Sequence, residues 1–339
     1  MKWIDKLKSQ LMALIFEHLE GGTRAEAVNE MQGAWQEIYR TLGLRENLGD
    51  EALRFAGTWA RASRPNLIIS QEDAASELVR VAGTELKSIM DVGKRLKAVV
   101  HAADQLNSNH RLSAVTSIVH ARFVATAILL RKFPPHIEGE LLGKWERVTF
   151  RIFGLGGEDA RKKVGDYVRF GYDVGTLRIS AEEISAGLSG LGANFSIDKV
   201  IDDPEYWTEC YDSWQEPLRY LLFRYDEYLS QKAGEKLNAS QWNKVWADDP
   251  SRSIEHIQPQ SADKSYTNHL GNLTMLPPNV NSSLKDKPPV SKASVYKSCG
   301  LKGTVAVGET IVGGAPWNKA AVLSRAAEIV AFVRKEWAD

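Results

Sequence analysis

Cysteine is nearly missing from this chain, which holds only two among 339 residues, Cys210 and Cys299. They lie far apart and outside any CxxC pair, which excludes a disulfide framework and a cysteine-based zinc knuckle. A reducing cytoplasm is the expected compartment. An excess of charge is missing too, since 43 Lys plus Arg balance 43 Asp plus Glu. No global field draws in nucleic acid, so such binding has to come from a local basic patch. Long apolar runs are also absent. The opening MKWIDKLKSQLMALIFEHLE mixes charges with apolar residues, unlike a signal peptide or a membrane span. The most apolar later stretch, Val115 to Leu130, is interrupted by Ser117, His120 and Arg122 and reads as a buried bundle helix, so no membrane partner is expected.

Strand signals are scarce up to about Gly192, where Ala, Leu, Glu, Lys and Arg dominate and apolar residues recur three and four apart. Ile4, Leu7, Leu11, Ile15 and His18 fall on one helical stripe. Breaks at Gly21-Gly22, Arg64-Pro65, Pro134-Pro135, Gly154 to Gly157 and Gly187 to Gly192 cut the region into several helices. The run Gly154 to Gly157 lacks a preceding strand and a closing GKS or GKT, so it predicts a turn between helices, not a phosphate loop. From Asp202 to Asp249 the chain is dense in Trp and Tyr, which predicts core packing. A helix from Glu216 to Gln231 is expected there, with Arg219 and Arg224 on a face away from its apolar side.

After Ser251 the pattern changes. A short strand (Ser253 to Ile257), a polar loop (Ser261 to His269), a second strand (Asn272 to Leu276) and a proline-entered helix carrying Asn281 follow one another. A last helix, Trp317 to Trp337, is expected to turn Trp317, Leu323, Ala327, Val330, Val333 and Trp337 to a core. The fold class is therefore mainly α: a helical bundle over residues 1–200, then a ββα module embedded in helices over 201–339.

Within that module Glu255 can bind a hard cation, His256 can take a proton from water, Asn281 can add a neutral oxygen ligand, and Asn272 can pin the loop. Phosphodiester hydrolysis needs this combination: a base for the attacking water and positive charge on the phosphoryl group. Strand alternation sends Glu255 and His256 to opposite faces, so they meet only where the strand ends or bends, as the nearby Pro259 allows. Oxygen ligands with one histidine favour Mg2+, with Mn2+ able to substitute, over zinc.

The order Glu255-His256-Ile257, Pro259, Leu270 to Leu276, Asn281-Ser282, Lys292 and Tyr296 resembles the HNH (ββα-metal) nuclease module at the C-terminus of GmrSD and SspE type restriction proteins. Trp317 and Arg325 resemble that family's closing helix, while Met275 and Val290 depart from it at packing positions. The resemblance implies His256 as general base, Glu255 and Asn281 as ligands of one metal, and Asn272 as the residue that braces the loop and orients His256. It also implies DNA as substrate in defence against phage or modified DNA. Members of that group usually begin with a ParB-like NTPase domain carrying DGQQR, a string this chain lacks. The expected partner is such a domain, in the same full-length protein or on a separate chain, with the former favoured.

Lys285, Lys287, Lys292, Lys297 and Lys302 form a lysine-rich run beside the proposed centre and are expected to contact DNA phosphates, as are Arg325 and His269. Two other readings stay open: a non-enzymatic helical interaction module with a degenerate nuclease fold, and a ribonuclease.

Overall fold

The computed structural model describes residues 2–176, 179–212 and 214–338. The chain is mainly helical, 71% by residue, and among the described residues one two-stranded sheet is present. It divides into two compact units: Met1–Phe153 with Gly157–Asn194, and Gly154–Gly156 with Phe195–Asp339.

The first unit is built from α1 (Trp3–His18), α2 (Gly21–Leu42), α3 (Glu46–Ala60), α4 (Gln71–Ala82), α5 (Leu86–Ser108), the single turn α6 (His110–Ser113), α7 (Val119–Leu130), α8 (Pro135–Thr149), α9 (Val164–Thr176) and α10 (Ala181–Gly192). Ile4, Leu7, Leu11 and Ile15 are the buried stripe of α1, while His18 is exposed. Side chains satisfy the free amides at helix starts: Ser70 caps α4, and Ser180 with Glu183 forms a reciprocal capping box on α10. The apolar run of α7 is buried from His120 to Leu129 on every face, so this helix is the centre of the unit. Phe123 stacks on Trp59 with ring centroids 4.3 Å apart. Gly171 of α9 meets the Phe123 ring so closely that an added Cβ would collide with it, which lets α9 close on α7. The glycine stretch after α8 begins inside a π-helical turn, Phe150–Leu155, rather than as a simple turn, and no strand leads into it.

The second unit contains α11 (Asp198–Ile201), α12 (Gln215–Lys232), α13 (Ala239–Trp246), α14 (Pro250–Ser253), β1 (Ile254–His256), β2 (Leu273–Met275), α15 (Pro278–Leu284), α16 (Pro289–Ser298), α17 (Lys302–Val312) and α18 (Lys319–Trp337). The strands pair antiparallel, with Glu255 opposite Thr274 and His256 opposite Leu273. All six strand residues are buried, so this ribbon is covered on both faces and shows no alternation.

Two sequence expectations about this unit are corrected. Arg224 of α12 is buried, with its guanidinium on Tyr220 and Glu336. The buried side of α18 is Val322, Arg325, Ala326, Ile329, Phe332, Val333 and Trp337, while Leu323 is 46% exposed. An arginine on the inner stripe displaced the apparent apolar periodicity by one position. Asn318 caps α18, which leaves Pro316 and Trp317 ahead of the helix.

Candidate functional site

β1 ends at His256, and two further bonds hold its exit: the amide of Ile257 donates to the Asn272 carbonyl and that of Gln258 to Asn272 Oδ1. Asn272 is fully buried and uses both ends of its amide. Its Nδ2 donates to the carbonyls of Gln258 (3.0 Å) and Thr267 (2.8 Å), and its Oδ1 also accepts from Trp317 Nε1 at 3.0 Å. Both sides of the loop between the strands are thereby tied to one side chain. Gly271, just before it, lies against the α18 backbone, where a Cβ would run into the Val322 carbonyl.

Asn268, on the same loop, reaches His256 Nε2 at 3.1 Å, and its Nδ2 donates to Glu209 Oε2 at 2.9 Å. Because the amide nitrogen is committed to Glu209, the oxygen faces the imidazole and Nε2 must carry the proton. Nδ1 is then the lone-pair nitrogen of neutral His256. The Tyr211 ring packs edge-on against the imidazole with centroids 4.5 Å apart. Burial holds the His256 pKa below its ordinary value, assisted by Lys292 and opposed by the Asn268 bond and Asp212. The ring is therefore neutral and able to accept a proton near neutral pH.

Glu255 faces a different set of groups. Its Oε1 accepts from Lys292 Nζ at 2.7 Å and Tyr296 Oη at 2.6 Å, while Lys292 also donates to the His256 carbonyl at 2.7 Å. Burial pushes the Glu255 carboxyl up from its usual range, against the opposite pull of Lys292 and Tyr296. Among the described residues none donates to Oε2. Asn281, on α15, donates Nδ2 to the carbonyls of Arg252 (2.9 Å) and Ile254 (3.0 Å), which leaves its Oδ1 as the free end. Glu255, His256, Asn281, Tyr211, Lys285 and Lys292 line one cleft of about 220 Å³.

This donor set fits a hard divalent cation: one carboxylate oxygen and one amide oxygen stand without protein donors on the same cleft, beside a neutral imidazole. Among the described residues no group of three or more His, Cys, Asp and Glu is placed for a metal, so remaining positions would fall to water and phosphate oxygens.

The expected phosphate contacts divide. Lys285 and Lys287 are exposed, and Lys285 lines the cleft. Lys292 is only 1% exposed and spends its charge on Glu255, so it is no free phosphate ligand. Arg325 is buried and holds the carbonyls of Gly271 (3.0 Å) and Leu273 (2.7 Å), which removes it from the exposed surface DNA would touch. His269 is buried, with Nδ1 accepting from the Gly271 amide at 3.2 Å, and its role is to cap the turn. Sequence reasoning missed Asn268, Glu209 and Tyr211. Asn268 sits next to the Leu270 to Leu276 motif, and that adjacency was the one signal available.

The second unit is thus a helical domain built round a short β ribbon and a polar cleft. Residues 195–332 match the family model of the C-terminal domain of GmrSD restriction endonucleases. The matched span holds every residue that lines the cleft and ties this unit to restriction endonucleases. No curated protein matches the chain. Among the described residues no helix is long and apolar enough to cross a membrane, and both cysteines are free and buried.

Proposed function

We propose that the second unit is a metal-dependent HNH endonuclease that nicks or cleaves DNA, the effector part of an anti-phage or modification-dependent restriction system in the cytoplasm. The observation that carries the reading is the convergence of Glu255, His256 and Asn281 on one cleft, inside the span that matches a restriction endonuclease domain. Glu255 Oε2 and Asn281 Oδ1 would hold one Mg2+ ion, which when bound supplies Lewis-acid charge to the phosphoryl oxygens and acidifies water. His256 Nδ1 takes the proton of the attacking water, and the Asn268 to Glu209 relay keeps the imidazole in the tautomer that can do so. Asn272 keeps the loop carrying Asn268 in register with β1. Lys285 and Lys287 contact flanking phosphates. The first unit serves as a scaffold or as a sensing and docking element for an NTPase domain.

Supercoiled plasmid incubated with the full chain and Mg2+ tests the reading. Nicked or linear product should form, and His256→Ala should reduce the rate by roughly 10²- to 10⁴-fold, the usual contribution of a general base, with the far-UV spectrum unchanged. Undiminished cleavage by purified His256→Ala removes His256 as the base. Absence of any product at every protein concentration favours a non-enzymatic interaction module, and faster turnover of RNA than of DNA favours a ribonuclease.

A further inference from the structure

A second cavity, of about 200 Å³, lies among α12, α17 and α18 and shares no lining residue with the cleft at His256. Tyr225, Trp317, Arg325 and Glu328 are its functional side chains, and Gly303, Ala306 and Ala321 make room between the helices. Arg325 is the unusual member. It is about nine-tenths buried, yet only Nη1 is bonded, to the Gly271 and Leu273 carbonyls, and Nε and Nη2 have no acceptor among the described residues. Burial brings its pKa down to about 10, so it stays a cation at neutral pH. Glu328 lines the same cavity without forming an ion pair with it.

Glu328 acts on Arg325 only through space, and a guanidinium with two adjacent open nitrogens is a fork that matches two oxygens of a carboxylate or phosphate. The aromatic walls of Tyr225 and Trp317 suit a flat apolar body. The volume admits a molecule of about one ring, and the exposed Glu328 carboxylate repels polyanions such as a nucleic-acid backbone. We propose that this cavity binds a small ring-bearing carboxylate or phosphate monoester, its anionic group on Arg325 and its ring between Tyr225 and Trp317.

Occupancy reaches the loop described above through single bonds. Arg325 holds both sides of Asn272 through the Gly271 and Leu273 carbonyls, and Trp317 Nε1 donates to Asn272 Oδ1. A ligand that fixes Arg325 and Trp317 therefore stiffens the brace of the loop that carries Asn268. Binding to the folded form also raises thermal stability by mass action.

Isothermal titration of the full chain with benzoate, phenyl phosphate and inorganic phosphate tests the proposal without any divalent cation or DNA. It is therefore decided separately from the nuclease reading. Saturable binding of benzoate or phenyl phosphate is expected, the tighter of the two naming the anionic group, together with slower amide exchange over residues 258–272. Ala306→Phe, at an exposed position on the rim, fills the cavity without touching the Arg325 bonds and should weaken binding by about tenfold or more, some 1.4 kcal/mol. Ala321→Leu, from the facing helix, is the second variant and should act in the same direction. Lack of saturable binding by all three probes overturns the proposal, as does unchanged affinity in both variants. Inorganic phosphate binding as tightly as phenyl phosphate overturns it too, because the ring walls would then contribute nothing.

Discussion

The two units differ in the buried polar groups they leave half-bonded. In the first, buried ions are closed on side-chain partners: Arg122 Nε and Nη2 take both oxygens of Glu51, and Arg111 Nε lies within 3.0 Å of both oxygens of Glu146. In the second, Arg224 is closed in the same way on Glu336 and Tyr220, and Asp226 on Trp242 and the Gly303 amide, but Glu255 is bonded through one oxygen, Arg325 through one nitrogen, and Asn281 through its nitrogen end alone. All three residues line cavities. A closed pair serves the fold, whereas a half-satisfied buried ion keeps interaction capacity for something from outside. The half-bonded groups lie in the unit that also carries the motif.

Removing one partner of the Lys292 and Glu255 pair should break it most sharply. Lys292→Met leaves a buried carboxylate uncompensated and should cost about 3–5 kcal/mol in chemical denaturation, read from the second unit. The double change Lys292→Met with Glu255→Gln should recover much of that loss, since removing both charges also removes the desolvation cost, but it should not recover nicking. A double variant as unstable as the single would show that Lys292 matters for its packing and not for its charge. Phe123→Ala in the first unit should also cost about 3–5 kcal/mol, through the cavity left against Trp59, with no comparable double change to rescue it.

His120 sharpens the same contrast through pH. It is buried in the first unit beside Phe153 and Tyr167, Nε2 has no partner, and burial lowers its pKa to about 4 despite a backbone bond at Lys162. The unfolded chain then binds the proton more tightly than the folded one. The stabilisation is fully present above the ordinary histidine value of about 6.5 and is lost as pH falls toward 4. Amide exchange resolved to α7 should accelerate across that window, and His120→Leu should flatten the dependence. A wild-type profile that is flat between these values would mean the ring is not held neutral.

Much of this layout was legible in the sequence, and what was missed has one physical source. The helices follow from apolar spacing, and both short strands fall inside their expected ranges because polar breaks and prolines bound them. Asn272 as a loop brace was implied by the family resemblance and by the capacity of an amide to bond at both ends, and its side chain does tie both sides of the loop. Lys292, Arg325, Arg224 and His269 were read as surface because charged and polar residues usually are, and burial of each depends on tertiary partners that spacing does not reveal. The approach of Asn268 to His256 and of Tyr211 to the same ring belongs to the same class: it exists only once the loop has folded over β1.

Lys285 and Lys287 carry the smallest expected effect and test whether charge left outside behaves differently from charge drawn in. Both side chains are exposed, and the Lys287 ammonium makes one long bond of 3.3 Å to the Ser283 carbonyl, so neither helps to hold the fold. Replacing either by Ala should change stability by less than about 0.5 kcal/mol. With one lysine fewer on the phosphates, binding releases one fewer counterion, so the slope of log affinity for DNA against log salt should fall by about 0.9 per lysine removed. Lys292→Met, by contrast, should leave that slope unchanged, because its ammonium already faces Glu255 and the His256 carbonyl. An equal drop in slope for all three lysines would mean that DNA draws Lys292 out of its buried pair.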